Sequence, residues 1–258
     1  MSADPHWSYV QARLQAHHGD RMPEGSWHAL EAAQTSDAFL ERSRATSLHC
    51  FTEQVSAGMS SHAIERVLRG AWRAYVNDVA GWLPKAWRPA VSWTALLPDL
   101  PAIDALLNGE TPAWAKQDPA LALFTEPDPA QRLAALQGSL LAPLLPTESD
   151  AAPLAAHWGR RWRALWPKQN AADQRALYAL AHAVQTHVEI LARAGAQESS
   201  APHRRDLERT ATRLFRRHAA SPTAVFSHLL LTALDLERLR GGIVRRRLFQ
   251  PAARRQAA

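Results

Sequence analysis

Proline placement constrains this chain more than any other feature: 12 of its 17 prolines fall between Pro84 and Pro167. Proline lacks the amide donor and its ring clashes with the preceding turn, so no long helix runs uninterrupted through that stretch. On either side alanine, leucine, arginine and glutamine dominate and β-branched alternation is nearly absent, which favours helices and gives strands little support. The expected fold is all-α, a multi-helix bundle. It reads as an N-terminal helical region over 5–83, a proline-rich helical connector over 84–167, a C-terminal helical region over 168–249 and a disordered tail over 250–258. Helix starts are marked where Asp4, Asp128 and Ser221 each precede a proline, placing a capping side chain before the residue best suited to the first helical position. Gln131, three residues after Asp128, adds a capping-box partner.

With 258 residues and 47% hydrophobic content, the chain can build a core without covalent staples. Its single cysteine, Cys50, excludes an intramolecular disulfide, and 1–10 lacks the charged start and apolar run of a secretory signal. A cytoplasmic protein is expected. The apolar run near Leu229–Leu236 is cut by Thr232 and Asp235, and no stretch reads as an uninterrupted bilayer span, so any membrane association is expected to be peripheral. The formal charge of +6 is uneven: 203–258 holds 13 arginines against Asp206, Glu208, Asp235 and Glu237 and carries +9, leaving −3 for the remainder. Such a segment suits an acidic partner, a phosphate backbone or an anionic lipid surface, or is simply a solvated arginine-rich face.

A wheel of the last helix puts Val225, Leu229, Ala233, Leu236, Leu239 and Ile243 on one face, with Glu237 and Arg240 inside the same arc and three residues apart. The first helix repeats the pattern, since Arg13 lies one turn after Tyr9 on the side of Val10, Ala12 and Ala16. In 60–81 the apolar face runs through Ile64, Leu68, Trp72, Tyr75 and Val79, with Glu65 at its margin. An unpaired buried charge costs several kcal/mol, so Arg13, Glu65, Glu237 and Arg240, with Tyr9 beside them, are expected to form a structural ion-pair network or a partner contact. Arg245, Arg246 and Arg247 follow the double glycine Gly241-Gly242 and read as a basic docking surface near the helix C-terminus. The glycines imply either a bend or a close approach.

Glycine-rich phosphate loops, paired CxxC, HExxH and nucleophile elbows are absent, so no catalytic residue, metal ligand or cofactor is assigned. His182 and His187 are five apart and diverge on a helix, as do the adjacent His17 and His18. Trp158, Trp162 and Trp166, interleaved with Arg160, Arg161 and Arg163, suit a stacking platform for single-stranded nucleic acid, but four-residue spacing before Pro167 favours packing against the connector.

Three segments together resemble the C/d-type coupling-subunit family of V-type and A-type rotary ATPases. Tyr9-Val10-Gln11-Ala12-Arg13 is similar to that family's YxxAR opening, and Ile64-Glu65 with Leu68 to its internal Ile-Glu-x-x-Leu pattern. Ser221–Phe226 through His228, Glu237, Leu239, Arg240 and Ile243 resembles its last helix, with Arg238 and His228 as departures. The resemblance implies two or three related helical subdomains in a funnel-like arrangement, one reduced or lost in so short a chain. It also implies a non-catalytic coupling subunit, peripheral on the cytoplasmic face of the membrane, whose partners are the membrane rotor ring and the central stalk of a rotary ATPase that moves ions or protons. The alternative is a helical binding protein for nucleic acid or another polyanion, acting through the basic C-terminal segment.

Overall fold

The structure is a computed structural model that describes residues 5–110, 113–145, 152–193 and 201–249; the tail expected over 250–258 lies outside the described residues. The helices are α1 (Pro5–Gly19), α2 (Glu24–Glu31), α3 (Ser36–Arg44), α4 (His49–Thr52), α5 (Ser61–Trp82), α6 (Arg88–Ser92), α7 (Leu100–Leu107), α8 (Pro129–Gln137), α9 (Leu154–Ala164), α10 (Ala171–Arg193), α11 (Ala201–Arg217) and α12 (Pro222–Phe249). Short 3-10 turns fill the gaps, and there is no strand among the described residues. The fold is all-α.

The chain forms two compact units, one from 1–61 with 168–258 and the other from 62–167. The division falls at the start of α5 and not after it. The reason is that α5 belongs with the proline-rich stretch: its Trp72 is buried and donates its indole N–H to the carbonyl of Thr94 at 3.0 Å.

In the 62–167 unit, prolines set the helix lengths. Asp128 caps α8, its Oδ1 accepting from the amides of Ala130 and Gln131, with Pro129 at the first helical position. Lys85–Leu107 is long and apolar enough to cross a membrane by length and composition alone, with mean hydropathy 1.2. It is an interrupted run of 3-10 and α turns, and Trp87, Ala90, Val91, Ile103 and Leu106 are buried in this unit. Trp93 and Trp158 exchange bonds, each indole N–H donating to the other's carbonyl at 3.1 and 3.3 Å. Trp162 stacks on Trp158 and is likewise buried, so these tryptophans pack the interior instead of offering a platform.

The other unit is built around α12, which packs on α1, α3, α10 and α11. From Ser221 to Leu229 every residue is buried, so the first turns of α12 are enclosed from all sides. Ala220, in the turn before it, has φ 53°, a left-handed conformation uncommon outside glycine. Its amide donates to Gln11 Oε1 of α1 at 2.7 Å, which fixes that turn against the first helix.

Candidate functional site

The charged side chains that join helices in the α12 unit are not those on the wheel. α12 carries Asp235, Arg238, Gly242 and Arg246 at spacings of three, four and four, one stripe along the helix. Each position engages an N-terminal element. Asp235 is buried and takes a bidentate pair of bonds from Arg21, just beyond α1: Nε to Oδ2 at 2.8 Å and Nη2 to Oδ1 at 2.9 Å. The same Nη2 reaches Glu208 of α11 at 3.1 Å, so one guanidinium ties together the end of α1, α11 and α12. Burial raises the Asp235 pKa above the usual carboxylate range against the opposing pull of Arg21. Burial opposes the charge on Arg21 too, but its bonds to Asp235 and Glu208 outweigh it and raise its pKa.

One turn on, Arg238 donates to Glu31 (2.6 and 3.0 Å) and Glu24 (2.7 and 3.0 Å), both on α2, while its guanidinium lies 4.6 Å from the Trp27 ring. Hydrogen bonding to Arg238 lowers the pKa of both glutamates. At Gly242 there is room for nothing larger: an added Cβ would sit 2.5 Å from the Phe39 ring of α3. The double glycine thus serves a close approach, made by a side chain. Arg246 then covers the same ring, 4.0 Å from its centroid, and donates to the carbonyls of Ala33 at 2.8 Å and Glu31 at 2.6 Å. Those are carbonyls at the end of α2, left without intrahelical partners. Arg247 donates to the carbonyls of Ala57 and Met59.

The residues singled out from the sequence lie elsewhere. Glu237 and Arg240 are exposed, a correction to their placement in the apolar arc. Val225, Leu229, Leu236, Leu239 and Ile243 of that arc are buried, but the buried face stops short of Glu237 and Arg240, and the first turns of α12, buried all round, offer no period that fixes its edge. In α1 the buried residues are Val10 and Leu14, while Ala12 and Ala16 are exposed and Tyr9 is half-exposed. Arg13 donates to the Tyr9 hydroxyl at 3.4 Å. Glu65 lies on α5, in the 62–167 unit. Of the expected docking run, Arg245 is exposed, Arg246 is buried and Arg247 is partly buried; two of the three thus serve internal carbonyls instead of a surface.

The 62–167 unit has a network of its own. Arg69 of α5 meets Asp118 at 2.8 Å and Asp99 at 3.4 Å, and Arg73, one turn on, donates to Asp99 at 3.1 and 3.2 Å. Both aspartates are 1% exposed, and two charges of each sign balance there. The Trp114 ring lies 5.5 Å from the Arg69 guanidinium and stacks on His62.

Sequence reasoning missed Arg21, Arg69, Arg73, Asp99 and Asp118 altogether. The available signal was a charge interrupting an apolar run, as Asp235 does. Among the described residues no group of three or more His, Cys, Asp or Glu is arranged to hold a metal ion. A groove of about 1030 Å³ runs along α11 and the start of α2, its lining including five arginines and the carboxylates of Glu24, Asp206 and Glu208. No protein-family model matches the chain, and no curated protein or solved structure is detectably similar to it.

Proposed function

We propose that the chain is a non-catalytic coupling subunit of a V- or A-type rotary ATPase, seated on the membrane rotor ring and receiving the central stalk. The observation that carries this reading is a contact between one of the segments that resemble that family and the residue immediately before another. Gln11, inside Tyr9–Arg13, accepts the amide of Ala220, which immediately precedes Ser221-Pro222. Segments 209 residues apart in sequence are thus neighbours in one packed unit. A torque-bearing part must resist bending, and α12 suits that role: 28 residues long, it is tied laterally by Asp235 to the end of α1 and by Arg238 and Arg246 to α2 and its C-terminal end. In this reading the protein is peripheral on the cytoplasmic face of the membrane and contributes to ion transport without performing chemistry.

The test is co-purification. A tagged chain drawn from its native membranes after gentle solubilisation should bring rotor-ring and stalk proteins with it; recovery as an isolated monomer would overturn the proposal. Binding to nucleic acid through the basic C-terminal segment has less support, because Arg246 and Arg247 are committed to backbone carbonyls. That alternative requires retention on DNA that falls steeply with salt.

A further inference from the structure

α11 is the most strongly amphipathic part of the basic segment. Leu207, Ala211, Leu214 and Phe215 are buried, whereas Arg209, Arg213, Arg216 and Arg217 are exposed along the opposite side. At about 1.5 Å per residue these arginines form a stripe roughly 12 Å long. They line the groove of about 1030 Å³ together with Glu24, Asp206 and Glu208.

The charges in this groove fall into two parts. Near the start of α11 each carboxylate is already held by a cation of the same unit: Asp206 by Arg209, Glu208 by Arg21, and Glu24 by Arg238 and His28. Toward the end of α11, Arg213, Arg216 and Arg217 have no carboxylate within salt-bridge distance among the described residues. A solvated helix face would carry arginines too, and cations suit a helix C-terminus. Neither explains why three guanidinium groups within about one turn line a concavity instead of standing on a convex surface.

We propose that this groove is the docking site for an acidic amphipathic helix of a partner protein, whose carboxylates, spaced three or four residues apart, pair with Arg213, Arg216 and Arg217. Guanidinium forks match carboxylates bidentately, and residues three and four apart on a partner helix share one face. A phosphate backbone fits less well, because its negative charge is unbroken, whereas the cations at the other end of the groove are already engaged with Glu24, Asp206 and Glu208 and only the Arg213–Arg217 end offers guanidinium groups without a carboxylate. The inference rests on the groove and not on the coupling role, which co-purification tests separately.

The experiment is fluorescence anisotropy on the full chain with four probes: a synthetic helical peptide with glutamates at three- and four-residue spacing, a scrambled peptide of identical composition, a single-stranded oligonucleotide, and vesicles containing phosphatidylglycerol. The patterned peptide should bind most tightly. Joint replacement Arg213→Glu, Arg216→Glu and Arg217→Glu should weaken it at least about tenfold, while Arg161→Glu with Arg163→Glu on exposed positions of α9 should leave it unchanged. Circular dichroism checks that each variant is folded, and a peptide carrying arginines in place of the glutamates should bind the reversed protein better than the wild type. Equal binding of the scrambled peptide, preference for the oligonucleotide or vesicles, indifference to the charge reversal, or no binding to any probe would each overturn the proposal.

Discussion

The Phe39 ring brings its tip against Gly242: a Cβ built at position 242 would stand 2.5 Å from its Cζ atom, 3.0 Å from Cε2 and 3.2 Å from Cε1. Arg246, one turn further along α12, covers the ring, 4.0 Å from its centroid. The neighbouring Gly241 is exposed and meets nothing within 4 Å.

Two alanine substitutions should therefore have opposite signs. Gly241→Ala removes only the helix-interior penalty of glycine and should stabilise the protein by up to about 1 kcal/mol. Gly242→Ala gains the same propensity but forces the Phe39 ring or α12 to move, an overpacking cost of about 1–3 kcal/mol. It should be neutral to destabilising by about 2 kcal/mol, and Phe39→Leu should recover part of the loss when combined with it. Urea denaturation of the four proteins measures all of this; equal effects at 241 and 242 would show that α3 does not pack against α12 here.

Arg21 and Asp235 provide a test of pairing. Their side chains are 14% and 12% exposed, so Arg21→Met leaves a carboxylate in the interior and should cost about 3–5 kcal/mol. Replacing both, Arg21→Met with Asp235→Leu, removes the orphan and should be markedly less harmful than Arg21→Met alone. Glu208 survives the change because it is 38% exposed and can be solvated. A double-mutant cycle with no coupling would mean that the three elements are joined by apolar contacts alone.

Much of this fold was legible in the residues. Asp128-Pro129 and Ser221-Pro222 do mark helix starts, and proline density does mark the stretch of short helices. The buried charges were less legible, for a physical reason. Periodicity shows which face is buried only when another face is wet, and Ser221–Leu229 has no wet face. Arg21 lies in a turn, where no period applies, and Asp99 and Asp118 lie in or beside 3-10 segments. Arg238 stood out only as a departure from a resemblance, although it holds both Glu24 and Glu31.

In the 62–167 unit, Asp118→Asn takes one anion from a cluster whose aspartates are 1% exposed. It leaves Arg69 with only the more distant Asp99 and should cost about 3 kcal/mol or more. The consequence should be regional. Hydrogen exchange should show lost protection at the α5 amides around Arg69 and Arg73, whereas Asp104→Asn, at an exposed position of α7, should leave them protected.

Acid should weaken the α12 unit through its buried histidines. His228 is 1% exposed, and burial, followed by the nearby charges of His17, His18 and Arg21, lowers its pKa to about 3. His18, with its ring 4.3 Å from that of Phe215, is also lowered, by burial and then by Arg21 and Arg216. An unfolded histidine titrates near 6.5. The unfolded chain therefore binds protons that the folded chain refuses, so stability is full above about pH 6.5 and declines as pH falls toward 3. A shift of this size corresponds to several kcal/mol, and the paired Glu24 and Glu31, whose pKa values Arg238 lowers, keep their charge through the upper part of that window. The thermal midpoint should drop steadily between about pH 6.5 and 4.5, and His228→Gln should flatten the slope even if it lowers the midpoint at neutral pH. His182→Gln, at an exposed position of α10, should leave the profile as it is. A wild-type midpoint constant across that interval would mean that His228 accepts its proton inside the fold, which its burial beside Arg21 and two further histidines opposes.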